Sequence, residues 1–583
     1  MKASDYIVEF LIQHKITDVF GYPGGMVTHL MDSLDKYGEA INAHINYHEQ
    51  ACAMAACGWA EVTGLPGVAY ATSGPGATNL LTGIACAFFE SLPCVFLTGQ
   101  VNTYEQRGDL PVRQRGFQET DIVSMAAPIT KMAAMVTKAS ELPEMLEKAF
   151  FMAMEGRRGP VLLDVPMDVF RGDIDKKNAC KGTCFAQDYF DSKAIEPIAS
   201  EILCEIQKAE RPVILAGHGV SLSGMTAQFR RFVALTGIPV VTSMIAVDTI
   251  PSDSEYCFGM IGAYGLRWAN YLINNSDCIL ALGSRLDCRQ TGVNRNLFAP
   301  KARILRVDID PGEMENRINA AERQYCVPLQ RLFPALLCEA EKLDWNFCSW
   351  LDCCTSIRNK LAGVDLKEPG NLFLSELGKL FPGNTVITTD VGQNQVWAAQ
   401  SLPVKEGQRV LFSGGHGAMG YSLPAAIGVA IAAKRPVIAI VGDGGLQMNL
   451  QELQFVVREN LPIKIVLLNN RALGMIHHFQ EMYFDGNFAQ TDGRKGFTVP
   501  DFIEIAKAYG IRSYRYSDEM DMVEILSDRE PAFIEVTLPE STYVFPKLSV
   551  NEPIHMQEPP LDEKLVAEVE NIFCDFSGSS GRE

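Results

Sequence analysis

Short runs of apolar and β-branched residues alternate with longer helical patterns along almost the whole chain. This alternation is typical of parallel sheets whose strands are joined by helices. The runs fall into three groups, and each group predicts one doubly wound α/β domain. They are 67–72, 94–99 and 160–165, then 212–216, 239–242, 278–282 and 303–307, then 385–389, 436–441, 463–468 and 532–536.

The length supports this division, because 583 residues exceed what one hydrophobic core accommodates. We predict an N-terminal domain at 1–170, a central domain at 195–344, a third domain at 370–545 and a C-terminal tail at 546–583. Segment 171–191, which is mixed in charge and lacks periodicity, is predicted to be the first linker, and segment 345–369 the second. Recurrent prolines after residue 539 predict a tail extended over the body, with a frayed end at 577–583.

Composition and charge exclude several classes of partner. The chain has 51 basic and 70 acidic residues, and a net charge of −19 argues against nucleic acid or an acidic membrane surface as partner. Its apolar runs fall short of the ~18 residues that a membrane helix needs, and no targeting segment is visible at the start. We therefore expect a cytoplasmic protein acting on small molecules. Its 16 cysteines fit reduced thiols better than a disulfide framework.

The strongest local motif is Gly442-Asp443-Gly444-Gly445, which follows an apolar run, and Asn470 ends the next run. A strand ending in Gly-Asp-Gly makes a tight turn whose amides can face a phosphate at the start of the next helix. Carboxylate and amide oxygens suit a divalent cation. Alone, the motif is more often an ordinary turn. Paired with Asn470, it predicts a Mg²⁺ and diphosphate site.

This pairing resembles the signature of thiamine-diphosphate enzymes, and the resemblance extends over nearly the whole chain. In that family a glutamate of the first domain contacts the aminopyrimidine ring and supplies the proton that activates the cofactor. The matching residue here is Glu49, within Tyr47-His48-Glu49-Gln50. Without the surrounding match, Glu49 would be interpreted as a solvated acid at a helix start.

Among these enzymes, the closest resemblance is to the catalytic chain of acetohydroxyacid (acetolactate) synthase. The motifs that carry it are FGYPGG at 20–25, TSGPGATN at 72–79, GFQE at 116–119, DVGQ at 390–393, GAMG at 417–420 and LPAA at 423–426. The resemblance implies pyrimidine-binding, flavin-type and diphosphate-binding domains in that order.

The resemblance also implies individual roles. The catalytic residues would be Glu49, Gly25, Phe117, Gln118 and Lys131. Thiamine diphosphate would be bound by Gly417, Met419, Gln393, Asn394, Gly442, Asp443, Gly444, Gly445 and Met475. The metal ligands would be Asp443, Asn470 and the carbonyl of Ala472. Met419 would wedge between the two cofactor rings, and Asn394 stands where the family usually has histidine.

Motifs in the middle of the chain indicate a second cofactor. Arg285-Leu286-Asp287-Cys288-Arg289 closely resembles the flavin-binding stretch of these synthases. Further positions that fall where the family contacts FAD are Gly217, Gly219, Thr242, Met244 and Asp308. With Arg285 and Arg289, they imply a bound FAD. Its role would be structural, because carboligation transfers no net electrons.

Three departures from the family lie at the expected rim of the active site. The segment between Gln100 and Phe117, which contains three arginines, is longer than in the biosynthetic synthases. Phe479 stands in place of an acceptor-selecting tryptophan, and Ala263 and Tyr264 replace a Met-His pair. This pattern is similar to acetolactate-synthase-like proteins associated with surface polysaccharides.

The leading hypothesis is a carboligase that decarboxylates pyruvate and transfers the two-carbon unit to a second 2-keto acid. The alternatives are transfer to a keto-sugar nucleotide, a flavin-dependent pyruvate oxidase, or a relative that binds thiamine diphosphate without catalysis. The resemblance further implies a homodimer or homotetramer with active sites shared between chains. It leaves open a regulatory subunit.

Overall fold

The computed structural model describes residues 1–175 and 195–579. In these residues, three six-stranded parallel sheets follow one another along the chain. This arrangement confirms the predicted fold class. The predicted domain boundaries themselves stay predictions.

The first sheet has the strand order β2-β1-β3-β4-β6-β5. Its strands are β1 Asp18–Gly21, β2 Asn42–Ile45, β3 Gly67–Ala71, β4 Cys94–Gln100, β5 Met132–Met135 and β6 Val161–Pro166. Its helices are α1 Ala3–Gln13, α2 Thr28–Lys36, α3 Glu49–Thr63, α4 Pro75–Asn79, α5 Leu81–Phe89, α6 Ile122–Ala126, α7 Leu142–Met154 and α8 Met167–Arg171.

The central sheet has the order β12-β11-β10-β7-β8-β9. Its strands are β7 Pro212–Ala216, β8 Val240–Thr242, β9 Cys257–Met260, β10 Cys278–Leu282, β11 Arg303–Asp308 and β12 Arg323–Cys326. The helices of this region are α9 Ile195–Gln207, α10 Gly219–Leu222, α11 Thr226–Thr236, α12 Arg267–Asn275, α13 Cys288–Thr291, α14 Pro311–Glu315, α15 Leu329–Ala340 and α16 Cys348–Leu361.

The third sheet has the order β14-β13-β15-β16-β18-β17. Its strands are β13 Val386–Thr389, β14 Arg409–Leu411, β15 Val437–Gly442, β16 Ile463–Asn469, β17 Arg512–Arg515 and β18 Ala532–Thr537. Its helices are α17 Pro369–Leu380, α18 Gln393–Ser401, α19 Ser422–Ala433, α20 Asp443–Met448, α21 Leu453–Arg458, α22 Gly474–Tyr483, α23 Phe502–Ala508 and α24 Met522–Ser527. Two short antiparallel strands, β19 Lys547–Leu548 and β20 Gln557–Glu558, and helix α25 Glu563–Ser579 follow.

Every predicted strand is present, with small shifts at the ends. Within the three parallel sheets, the strands that the sequence pattern missed are β1, β2, β5, β9, β12, β14 and β17. All except β1 lie at a sheet edge. An edge strand lacks a neighbour on one side, so its sequence need not form a continuous apolar run. Strand β1 is buried, but four residues are too short to stand out.

The second predicted linker, 345–369, is corrected by the structure. Helix α16 lies within it, and its Trp350, Cys354 and Ile357 are buried in the core of the central region. These three apolar residues recur at helical spacing, a signal that the sequence analysis missed. Most of the first predicted linker, 176–191, lies outside the described residues.

The C-terminal tail is also corrected, because it is not extended throughout. Helix α25 has 17 residues, and its Val569 and Phe573 pack into the same core as α16. Residues 577–579, expected to be frayed, complete this helix, and 580–583 lie outside the described residues. In the described part of the chain, no helix is both long and apolar enough to span a membrane. The described cysteines are free thiols.

Candidate active site

One pocket of about 580 Å³ opens at the carboxyl edge of the third sheet. Strands β15 and β16 are paired there, with Gly442 opposite Leu468. Asp443 and Asn470 therefore follow the ends of neighbouring strands and line the same pocket. The other predicted cofactor residues in its lining are Gln393, Asn394, Met419, Gly442, Gly444, Gly445, Ala472 and Met475. Gly417 is not in the lining.

Asp443 has the surroundings expected of a metal ligand. It is 3% exposed, and its Oδ1 accepts a 2.7 Å hydrogen bond from the amide of Gly444. Its Oδ2 is buried without a hydrogen-bond partner among the described residues. Burial raises the pKa of Asp443 to about 6. A divalent cation at the free oxygen would satisfy it and offset that burial, so the residue fits the predicted role.

Three amide side chains complete the polar wall. Asn470 Nδ2 donates to Gln393 Oε1 at 3.0 Å, and Gln393 Nε2 donates to the carbonyl of Thr542 at 2.6 Å. The Oδ1 of Asn394 is buried and has no hydrogen-bond partner in the described part of the chain. These oxygens and the start of helix α20 suit a diphosphate with its cation.

Two glycines of this pocket lie very close to neighbouring side chains. A Cβ at Gly474 would lie 1.9 Å from Gln393 Oε1, and one at Gly445 would lie 2.4 Å from Asp390 Oδ1. Neither position tolerates a side chain without moving the wall. At Gly445 the clash would be with the Asp390 carboxylate.

Asp390 is a site residue to which the sequence reasoning assigned no role. Its carboxylate accepts amide hydrogen bonds from Val391, Gly420 and Ser422 at 2.8, 2.8 and 3.2 Å. Burial raises its pKa to about 6, opposed by these amides. The loop so held contains Gly417, whose φ is +71°. Asp390 therefore positions the loop that carries Gly417 and Met419.

Glu49 lies in the first region, at the start of helix α3, and is 8% exposed. Its Oε2 accepts a 2.9 Å hydrogen bond from Asn79 Nδ2. A Cβ at Gly76 would be 3.1 Å from its Oε1. The TSGPGATN motif therefore surrounds this carboxyl group and fixes its orientation.

Other predicted catalytic residues gather at the same edge of the first sheet. Gln118 has a φ of +63°. A Cβ added at Gly74 would lie 2.9 Å from the Cβ of Gln118. Gly25 follows β1 on the same side, and Phe117 is 78% exposed. The side chain of Phe117 is therefore exposed to solvent in the single chain.

Lys131 is separated from them. It precedes β5, at the amino edge of the parallel sheet, whereas Glu49 follows β2 at the carboxyl edge. Its Nζ donates to the carbonyl of Glu155 at 2.5 Å. Lys131 therefore lies apart from the other predicted catalytic residues of its chain, and its catalytic role stays a prediction.

A second cleft of about 1270 Å³ lies against the central sheet. The predicted flavin residues Gly219, Met244, Arg285, Arg289 and Asp308 all line it. Burial raises the pKa of Asp308, whose Oδ1 accepts from the amide of Asp310 at 3.0 Å. Five of the predicted flavin residues therefore meet in one cleft.

The other two predicted flavin residues, Gly217 and Thr242, are not in the lining of this cleft. A Cβ at Gly217 would lie 2.2 Å from the carbonyl oxygen of Gly283, so two chain turns touch there. Thr242 Oγ1 is buried without a partner among the described residues. The sequence reasoning missed Arg157 and Arg158, which also line the cleft and come from the first region. Only the folded chain brings them there.

Comparison with known proteins identifies the family. Family models for thiamine pyrophosphate (the same compound as thiamine diphosphate) enzymes match in chain order: the N-terminal TPP binding domain at 1–125, the central domain at 199–327 and the C-terminal TPP binding domain at 390–536. The large subunit of acetolactate synthase isozyme 2 of Escherichia coli is 36% identical, over 94% of this chain and 97% of that protein. The chain belongs to the acetolactate synthase family of thiamine pyrophosphate enzymes.

Further members of the acetolactate synthase family agree. The acetolactate synthase large subunit of Lactococcus lactis is 35% identical over 94% of both chains. Chloroplastic acetolactate synthase 1 of Nicotiana tabacum is 36% identical, over 94% of this chain and 83% of its own length. The predicted family is confirmed, and with it the dependence on thiamine pyrophosphate.

Proposed function

We propose that this protein decarboxylates pyruvate and joins the remaining two-carbon unit to the keto carbon of a second 2-keto acid, with release of CO₂. The observation that carries the proposal is the retained pair of half-sites. Glu49 is held by Asn79 in one, and Asp443 lies beside Asn470 in the other. The similarity to acetolactate synthases over 94% of the chain supports the same chemistry.

Each half-site has a defined task. Bound thiamine diphosphate supplies the nucleophilic carbon that takes up the two-carbon unit. Asp443, Asn470 and the carbonyl of Ala472 hold Mg²⁺, and the amides of Gly444 and Gly445 face the diphosphate. Glu49 holds a proton at its carboxyl group toward the aminopyrimidine ring. FAD occupies the cleft of the central region with a structural role.

The acceptor is held by Arg289. Its guanidinium offers a bidentate fork for the carboxylate of a 2-keto acid. Arg289 lines the central cleft beside Ala263 and Tyr264. A second 2-keto acid can therefore approach from the side of the central region.

We further propose a cytoplasmic homo-oligomer whose active sites lie between chains, with a regulatory subunit as an additional partner. The lining of the diphosphate pocket comes entirely from residues 391–476 and does not include Glu49. We expect the Glu49 edge of a neighbouring chain to complete the site.

The direct test is an assay of the purified protein with thiamine diphosphate, Mg²⁺, FAD and pyruvate alone. We expect acetolactate, converted to acetoin by acid and detected through a colour reaction of acetoin, and one CO₂ for every two pyruvates consumed. Hydrogen peroxide and acetate formed with oxygen uptake would indicate the oxidase instead. A keto-sugar nucleotide preferred over 2-ketobutyrate by a large factor in kcat/KM would overturn the 2-keto acid acceptor. Neither alternative is favoured by the relatives reported above.

A further inference from the structure

Lys547 has a buried ammonium group that lies against a thioether and two aromatic rings. The residue is 8% exposed, on strand β19. Its Nζ contacts Met482 Sδ at 3.2 Å and lies 5.5 and 5.3 Å from the ring centres of Phe479 and Tyr483. In the described part of the chain no carboxylate forms an ion pair with it. Burial lowers the pKa of Lys547.

This arrangement leaves the charge poorly compensated. A thioether is a weak hydrogen-bond acceptor, and an ammonium has three donors. Cation–π contacts recover only part of the cost of removing a charge from water. Buried charges in proteins are normally paired, so an unpaired one indicates a ligand that supplies the missing anion.

Backbone contacts place Lys547 beside the proposed acceptor residue. The amide of Leu548 donates to the carbonyl of Ala263 at 2.7 Å, and the amide of Ala263 donates to the carbonyl of Arg289 at 2.7 Å. The segment that precedes Lys547 is tied to the same region, since Gln400 Nε2 donates to the carbonyls of Tyr264 and Phe545 at 3.0 and 3.2 Å. Two cations are thus held on adjacent backbone segments.

Helix α22 connects Lys547 to the diphosphate pocket. Met475 and Ile476 line that pocket, and Phe479 lies one turn further along the same helix. One turn is about 5.4 Å. Phe479, Ala263 and Tyr264 are also the residues that depart from the family pattern. The unpaired ammonium therefore borders the part of the site that differs from the relatives.

We propose that Lys547 binds a second anionic group of the acceptor, a carboxylate or phosphate in addition to the 2-keto carboxylate held by Arg289. The inference rests on the proposed function. A bidentate guanidinium satisfies both oxygens of one carboxylate, which leaves the Lys547 ammonium for another group. The substrate class is then a 2-keto acid with an acidic side chain.

The test compares acceptors and variants in the full holoenzyme. The acceptors are 2-ketobutyrate, 2-ketoglutarate and 3-phosphohydroxypyruvate, with pyruvate as donor. The variants are Lys547→Met, which removes the charge at similar length, and Lys547→Arg, which keeps it. Lys342→Met is the matched control, because Lys342 is a lysine of helix α15 that pairs with Glu339. Donor decarboxylation is measured separately with ferricyanide as oxidant. This assay requires no acceptor 2-keto acid.

We expect the wild type to prefer one of the two acidic acceptors over 2-ketobutyrate. Lys547→Met should raise KM for that acceptor about 10- to 100-fold, the usual weight of a hydrogen bond to a charged group. The KM for 2-ketobutyrate, the ferricyanide rate and the melting temperature should change little. Lys547→Arg should keep the KM for that acceptor close to the wild-type value. Preference for 2-ketoglutarate identifies a carboxylate, and preference for 3-phosphohydroxypyruvate identifies a phosphate.

Two results would overturn the inference. One is a wild type that prefers 2-ketobutyrate to both acidic acceptors. The other is Lys547→Met affecting all acceptors equally, because the lysine then contributes to folding or to the shared carboxylate. A wild type that does not consume pyruvate with ferricyanide would contradict the proposed function itself, which separates the two failures.

Discussion

At the scale of single residues, Glu49 shows how a buried acid is oriented. Asn79 donates to one carboxyl oxygen at 2.9 Å, and the backbone at Gly76 allows a close approach to the other. This contact limits the carboxyl group to one orientation. A proton held on it is then directed toward one place only, as general acid–base catalysis requires.

Glu49→Gln is expected to lower carboligation about 10²- to 10⁴-fold, because an amide cannot exchange the proton. The amide oxygen can still accept from Asn79, so the fold and cofactor affinity should be retained. Steady-state kinetics and cofactor titration measure both effects. Glu144→Gln, at an exposed glutamate in the first turn of helix α7, is the control and should be neutral. Turnover close to wild type in Glu49→Gln would refute the assignment.

Asp443→Ala removes the proposed metal ligand that carries a formal negative charge. We expect Mg²⁺ and thiamine diphosphate to bind together more weakly, by about tenfold or more, since one charged contact is lost. Calorimetric titration of the apoprotein with cofactor plus Mg²⁺ measures this directly. Unchanged affinity would mean that the diphosphate binds elsewhere.

At the scale of elements, two helices pack with almost no side chain between them. A Cβ at Gly428 in α19 would lie 1.9 Å from the carbonyl oxygen of Ala55 in α3. A Cβ at Gly58 in α3 would lie 2.2 Å from the carbonyl of Ala425. This contact joins the helix that starts at Glu49 to the third region, so it bears on the position of the catalytic acid.

Gly428→Ala should force these helices apart and destabilise the protein by about 1–3 kcal/mol, the usual cost of overpacking. The destabilisation is measured as a lower midpoint of thermal denaturation, and we expect reduced activity with it. Gly363→Ala serves as the control, since a Cβ there meets nothing within 4 Å. An unchanged midpoint in Gly428→Ala would show that the helices can separate at little cost.

At the scale of the whole molecule, a buried ionic network links the three regions. Glu61 of α3 accepts from His218 Nε2 at 2.9 Å and from Arg409 of β14 at 3.2 Å, and Arg409 donates to Asp248 at 2.7 Å. Burial alone would lower the pKa of His218, but the Glu61 carboxylate raises it overall. Burial alone would raise the pKa of Glu61, but His218 and Arg409 lower it overall.

These opposite shifts define a pH window. The His218 contribution to stability is complete below about pH 6.5 and is lost as pH rises through its raised pKa. The Glu61 contribution is present above about pH 4.5 and is lost as pH falls through its lowered pKa. His218→Gln should therefore destabilise by about 1–3 kcal/mol near pH 5.5 and by less above pH 8. Urea denaturation across this range tests it, and a pH-independent loss would contradict it.

Assembly gives a further prediction at this scale. Glu49→Gln and Asp443→Ala chains, each inactive alone, should regain activity when mixed under conditions of subunit exchange. One interface then contains both wild-type halves, up to about one active site in each mixed dimer. Activity is compared with the fraction of heterodimer measured by mass spectrometry. Heterodimers without activity would contradict the shared site.

The sequence by itself determined the local features. The interior strands of the three sheets except β1, the turn at Asp443 and the helix start at Glu49 were predictable, because apolar periodicity and turn residues act over a few neighbours. The resemblance supplied the family in the same way, through short motifs. The edge strands and helix α16 were missed, since half-exposed elements carry weak patterns.

Only the tertiary structure decided which residues meet. The chain order gives no sign that Asn79 orients Glu49, that Asp390 holds the Gly420 loop, or that Lys547 lies unpaired beside Phe479. It equally hides that Lys131 lies at the opposite edge of its sheet from Glu49. The physical reason is that a parallel sheet sorts residues by the strand end they follow, and burial then sets their charge and partners.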